Sequence, residues 1–86
     1  MKWVEMVAKE IILQWIAEGY LQKATHVIII EDQPAHDFFP VLVFPYEDVK
    51  IKVKTFEHYH MNRIMGVYDL SMDIDKQINE VNSRNY

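Results

Sequence analysis

The stretch that decides the fold is Thr25-His26-Val27-Ile28-Ile29-Ile30-Glu31-Asp32-Gln33-Pro34-Ala35-His36-Asp37-Phe38-Phe39-Pro40-Val41-Leu42-Val43-Phe44-Pro45. Two blocks in it, residues 26–30 and 39–44, are almost purely apolar and rich in β-branched and aromatic side chains that fit a pleated surface. A strand with one wet face alternates apolar and polar residues, whereas a strand covered on both faces reads as a continuous apolar run. Both blocks read the second way, so each strand must be sandwiched. The polar connection between them is longer than a tight hairpin turn needs, yet too short for a parallel crossover, so the two strands are expected to be antiparallel neighbours. Pro40 and Pro45 cannot donate to a ladder and belong at strand boundaries or on an edge.

Before this stretch, residues 2–18 read as a helix. Val4, Val7, Ala8, Ile11, Ile12, Trp15 and Ile16 recur at spacings of three and four, with Lys2, Glu5, Lys9, Gln14 and Glu18 largely opposite. Trp3, Met6 and Leu13 fall outside that stripe, which predicts contact with two neighbours. Gly19 follows the last turn, where a left-handed cap is wanted.

After the stretch, residues 48–56 admit two readings. Val49, Ile51 and Val53 alternate with Lys50, Lys52 and Lys54, the pattern of a third strand with one wet face, and lysines also protect a sheet edge. The helical reading uses Asp48 as N-cap and Val49, Val53 and Phe56 as an inner face. The local pattern favours the strand. From His60 onward Ile64, Val67, Ser71, Ile74, Ile78 and Val81 follow a three-four rhythm that predicts helix, with Met61, Met65, Tyr68 and Met72 alongside. Gly66 weakens such a helix by about 1 kcal/mol, and Ser71 or Asp73 can cap a fresh start. Residues 82–86 are expected to fray.

Composition narrows the class. Eighty-six residues, half of them hydrophobic, suit one globular domain near the lower size limit for a self-sufficient core. A net charge of −4 argues against a general nucleic-acid binder, which needs a basic face to release counterions. No uncharged run is long enough to span a bilayer. Glu5, Lys9 and Glu10 break up the apolar character of a signal peptide, so the cytoplasm is expected. The absence of cysteine removes disulfides and thiolate metal sites.

Three segments together, Ala24-Thr25-His26-Val27-Ile28-Ile29, then Phe39-Pro40-Val41-Leu42-Val43, then Met61-Asn62-Arg63-Ile64-Met65-Gly66-Val67-Tyr68-Asp69-Leu70-Ser71-Met72-Asp73, carry a resemblance. The chain resembles small uncharacterised bacterial proteins of the kind found as stand-alone reading frames or in mobile gene cassettes. In that pattern the residues after Glu47-Asp48-Val49 look helical, and a better helix former stands at the position of Gly66. The resemblance therefore implies helix at 48–56 and through 61–70, and it implies no activity.

Three constellations carry possible chemistry. The loop with Glu31, Asp32, His36 and Asp37 gathers three carboxylates and an imidazole on a sheet, a set able to bind a divalent ion or move protons; the plainer reading is a solvated turn shaped by Pro34. In Glu57-His58-Tyr59-His60 the two histidines share a face only if the segment is a strand, and no third ligand is fixed nearby. An Asp followed by Asp-Val-Lys is similar to the restriction-type nuclease core, with Asp32 or Asp37 paired with Asp48 and Lys50 around magnesium, but the motif is short and no basic groove accompanies it. His26, inside an apolar strand start, reads as a hydrogen-bonded structural histidine.

The expected fold is α+β: a long N-terminal helix, a central antiparallel sheet of two or three strands, and a C-terminal helical region. With both sheet faces needing cover, one face takes a helix layer and the other meets the C-terminal helices or another subunit's sheet. A two-fold homo-oligomer is therefore expected. Functionally, a non-catalytic binding or interaction module is expected, with a protein or small-molecule ligand held among Phe38, Phe39, Tyr46, Phe56 and Tyr59, and with no cofactor, metal, nucleic acid or membrane. The alternatives are a small metal-dependent hydrolase using Glu31, Asp32, His36, Asp37 and Asp48, and an antitoxin-like regulator whose acidity suits a basic partner protein.

Overall fold

The computed structural model describes residues 9–59, 61–80 and 84–86. In chain order it contains α1 (Lys9–Leu21), β1 (His26–Asp32), β2 (Asp37–Val43), α2 (Val49–Glu57), β3 (Asn62–Asp69) and α3 (Ile74–Asn79). This is the expected α+β arrangement, a helix, a three-stranded antiparallel sheet and a C-terminal helix. Residues 2–8 of the predicted first helix lie outside the described residues.

The sheet order is β2-β1-β3, so the most apolar strand is the central one. Val27, Ile28, Ile29 and Ile30 are all fully buried. Alternation divides them: Val27 and Ile29 join Ile12, Ile16, Met65, Tyr68, Leu70 and Ile78 on one face, while Ile28 and Ile30 join Val43, Val53, Ile64 and Val67 on the other. The chain thus covers both faces with its own helices, α1 and α3 on one side and α2 on the other.

β1 and β2 pair from His26 opposite Val43 to Asp32 opposite Asp37. The connection is shorter than the polar stretch suggested, because Glu31, Asp32 and Asp37 are in the strands. The His36 N–H donates to the Gln33 carbonyl at 3.3 Å, and His36 takes φ 55°. Pro40 sits in the middle of β2, which an edge strand tolerates.

Two segments adopt the opposite of their local pattern. Residues 49–57, which alternate like a strand, are helical. Asp48 caps the helix by accepting from the N–H groups of Lys50 (2.9 Å) and Ile51 (3.3 Å), and Val49, Val53 and Phe56 turn inward on the Ile28–Ile30 face. The alternation is abandoned at a visible cost: Ile51 is left 64% exposed. Residues 62–69, expected to be helical both from rhythm and from the resemblance, form β3, paired antiparallel with β1. A bulge explains the misleading spacing. Ile30 faces Ile64 but Ile29 faces Gly66, so Met65 is the extra residue. The bulge places Ile64 and Val67, three apart, on one face, and Met65 and Tyr68, also three apart, on the other. A bulged strand buried on both faces therefore imitates a helical repeat.

Gly19 does not take the capping position expected of it. It lies inside α1 rather than capping it, and no glycine has positive φ. A Cβ there would lie 2.9 Å from Leu70 Cδ1 and 2.9 Å from Val27 Cγ2, so the missing side chain lets α1 approach the sheet. The left-handed cap falls on Lys23 (φ 61°). Ala24 N–H donates to the Gly19 carbonyl (2.8 Å) and Lys23 N–H to that of Tyr20 (3.1 Å), the paired bonds of a Schellman ending.

At the other end of the chain, Asp73 caps α3. Residues 84–86 do not simply fray: Arg84 bridges Val67 in parallel, and Asn85 N–H donates to the Val67 carbonyl at 3.0 Å. This contact occupies part of the outer edge of β3. Among the described residues no helix is long and apolar enough to cross a membrane.

Candidate functional site

The turn after α1, the start of β1 and the end of β3 meet at one end of the sheet around a cavity of about 430 Å³. Tyr20, Lys23, Ala24, Thr25, His26, Asp69, Leu70 and Ser71 line it. The backbone of the walls is tied together: Leu70 N–H donates to the Thr25 carbonyl (3.0 Å), and the Tyr20 hydroxyl donates to the Leu70 carbonyl (3.0 Å). Gln77 of α3 supports the end of β3 from behind. Its Oε1 accepts from Asp69 N–H at 2.7 Å, and its Nε2 donates to the Asp69 carbonyl at 2.9 Å. A buried amide is satisfied by the backbone it holds.

Proton accounting defines the polar groups. The Thr25 hydroxyl donates to the Val43 carbonyl at 3.1 Å, and it has only one proton to give. His26 Nδ1 lies 2.9 Å from Thr25 Oγ1, in a hydrogen bond whose donor is set by the ring tautomer. His26 Nε2 is buried with no hydrogen-bond partner, 3.7 Å from Asp69 Oδ2. The pair is ionic only when the ring carries both protons. Asp69 Oδ1 is saturated by Ser71, accepting from its N–H (2.9 Å) and its hydroxyl (2.6 Å). Burial pushes the Asp69 carboxyl up, but the hydrogen bonds from the Ser71 hydroxyl and N–H, with the charge of His26, outweigh it and hold the group below its ordinary value. Asp69 is thus an anion at neutral pH.

Lys23 brings the opposite charge to the same cavity. Lys23 is exposed and, among the described residues, is not ion-paired with Asp69. The cavity lining therefore includes one basic and one acidic residue that are not paired with each other. Ala24 and Leu70 supply apolar wall between them.

The residues singled out from sequence are distributed differently. In the loop, Glu31 is buried and its Oε2 lies 3.7 Å from Nδ1 of the exposed His36, while Asp32 faces Asp37 across the hairpin. Asp48 lies beyond the opposite end of β2, a seven-residue strand spanning roughly 20 Å. The loop and Asp48 are not brought together, nor are Asp32 or Asp37 with Lys50. Among the described residues no three of His, Asp and Glu are placed to hold a metal ion. His58 ends α2, and His60 lies outside the described residues.

The five aromatic residues are also divided. Phe38 packs beside the Val27–Ile29 face, and Phe39 and Phe56 pack beside the Ile28–Ile30 face. Tyr46 precedes α2 and stacks on Phe44 (ring centroids 6.0 Å apart, planes 7° apart), whereas Tyr59 follows the helix at its other end. None of the five lines the cavity. Next to Tyr46, Glu47 accepts from Lys52 Nζ at 2.7 and 2.8 Å and from Phe44 N–H at 3.0 Å, and these bonds hold its carboxyl below the ordinary value.

No family model matches the chain, and no curated protein or solved structure matches it either.

His26 was visible from sequence as a polar residue in an apolar strand. Its hydrogen-bond partner Thr25 precedes it in sequence, but Asp69, 3.7 Å from its Nε2, was not visible, because the helical reading placed residues 69–71 on the wrong element. The local signal that was present is Asp69-Leu70-Ser71, whose Asp side chain accepts two residues on in the manner of an Asx turn.

Proposed function

We propose that the protein is a non-catalytic interaction module that assembles as a two-fold homodimer through the outer edge of β2. The observation that carries this reading is the contrast between the sheet's two edges. β3 has residues 84–86 along part of its outer side, while among the described residues β2 is paired only to β1. On β2, residues 38–42 are Phe, Phe, Pro, Val and Leu, all only half-buried. An open strand edge of this composition is a template for strand addition.

Several features favour a second copy as the partner. Asp37 is the single charged residue of β2 and lies at one end, so antiparallel self-pairing holds the two copies of it apart. Phe38 and Phe39 lie within the proposed contact. A non-catalytic role is favoured by the separation of the carboxylates that the hydrolase alternative needs: Asp48 lies beyond the opposite end of β2 from Glu31, Asp32, His36 and Asp37.

Light scattering at micromolar concentration tests the assembly. The expected mass is that of two chains, and a monomer removes the proposal. Val41→Lys puts a charge on the edge strand and is expected to yield a monomer; because Val41 also packs beside the Ile28–Ile30 face, circular dichroism and urea unfolding are read alongside to show that the variant is folded.

A further inference from the structure

We infer that the cavity at the Lys23–Asp69 end of the sheet binds a free α-amino acid with an aliphatic side chain. The inference does not depend on how the β2 edge assembles.

The groups that line the cavity decide the class of ligand. Tyr20, Thr25 and Ser71 have given their hydroxyl protons to Leu70, Val43 and Asp69. His26 Nδ1 is engaged with Thr25, and Nε2 is shielded from solvent. Two residues of opposite charge line one cavity: Lys23, and Asp69, whose Oδ1 is occupied by Ser71 and whose Oδ2 lies 3.7 Å from His26 Nε2. A simple anion would meet Asp69, and a simple cation would meet Lys23. A zwitterion satisfies both, with its ammonium on Asp69 and its carboxylate on Lys23. Leu70 and Ala24 offer an apolar wall for a short aliphatic side chain, and about 430 Å³ lies in the lower half of the range for small-molecule pockets.

The φ of Lys23, 61°, is the left-handed cap that glycine adopts without steric cost, and here a long cationic side chain occupies it.

The test is a nuclear magnetic resonance titration of ¹⁵N-labelled protein with L-alanine, L-valine, L-leucine, L-isoleucine and L-methionine, following the amides of Ala24, Thr25, Leu70 and Ser71. At least one amino acid is expected to give saturable shifts at millimolar concentration or below. For that amino acid, the amine lacking the carboxylate and the acid lacking the ammonium are each expected to bind at least about tenfold more weakly. Absence of saturable shifts with all five, or equal binding of either half-ligand, overturns the inference. Lys23→Gly separates binding from folding: it relieves the positive φ, so the melting temperature should hold or rise while affinity falls about tenfold or more. Unchanged affinity in that folded variant also overturns it.

Discussion

The two faces of the sheet are closed by different means. On the α1 face the helix comes close because a side chain is missing, at Gly19, and α3 adds a buried amide, Gln77, that holds the end of β3. On the α2 face one short helix is held by side chains that are present, Val49, Val53 and Phe56, and by the Asp48 cap. Lys52 reinforces the attachment by donating to the Leu42 carbonyl at 2.9 Å and to Glu47. One face depends on closeness of backbone, the other on filling by volume. β1 feeds both, which is why it contains no polar residue between His26 and Glu31.

The largest effects should come from truncating β1 on either side. Ile28→Ala empties the α2 face and Ile29→Ala the α1 face, and each is expected to cost about 4 kcal/mol in urea unfolding. With small domains stable by only about 5–15 kcal/mol, either variant should be close to unfolding. A loss below about 1 kcal/mol for one of them would mean that its face is not a closed core. The next effect is a reversal of sign. In an exposed helix interior Gly→Ala gains about 1 kcal/mol. Gly19→Ala should instead destabilise by about 1 kcal/mol, because the Leu70 methyl can rotate away but Val27, β-branched on the central strand, cannot. A stabilised variant would show that α1 has room to spare.

The smallest effect compares the two carboxylates held below their ordinary range, Asp69 at the end of β3 and Glu47 beside α2. For each, the folded state prefers the charged form more than the unfolded chain does. The resulting stability is present above the unfolded carboxylate pKa and is lost as pH falls through the folded value. Unfolding free energy should therefore decline between about pH 5 and pH 3. Asp69→Asn should flatten that acid limb more than Glu47→Gln, since Asp69 is the less exposed of the two. Equal slopes in the three proteins would contradict the assignment.

Much of this architecture can be read along the chain, and the exceptions have specific causes. The continuous apolar run at 26–30 identifies a strand buried on both faces, and Ile12 and Ile16 occupy the predicted stripe of α1. The helical alternative for 48–56 names the same cap and the same three inner residues that the fold uses. The preference went the other way because Val-Lys alternation fits a wet-faced strand, and nothing local shows that the neighbouring position in the sheet is already taken by β3. The helical expectation for 62–69 came from spacings that the bulge at Met65 produces. Of the cavity, His26 was legible; Lys23, Asp69 and Ser71 were not, because their shared location depends on β3 lying beside β1.

What the sequence by itself determined is demand: a central strand needing cover on both sides and an amphipathic helix ahead of it. What only the tertiary structure decided is supply, namely which later segment would pair with β1 and which would cover it. Local pattern assigns those two roles the wrong way round. The physical reason is that an edge strand and a covering helix are both chosen by how much apolar surface they bury against β1. Met65, Val67 and Tyr68 bury more as a bulged strand, serving both faces, than a one-sided helix allows. With that place filled, residues 49–57 bury Val53 only by coiling.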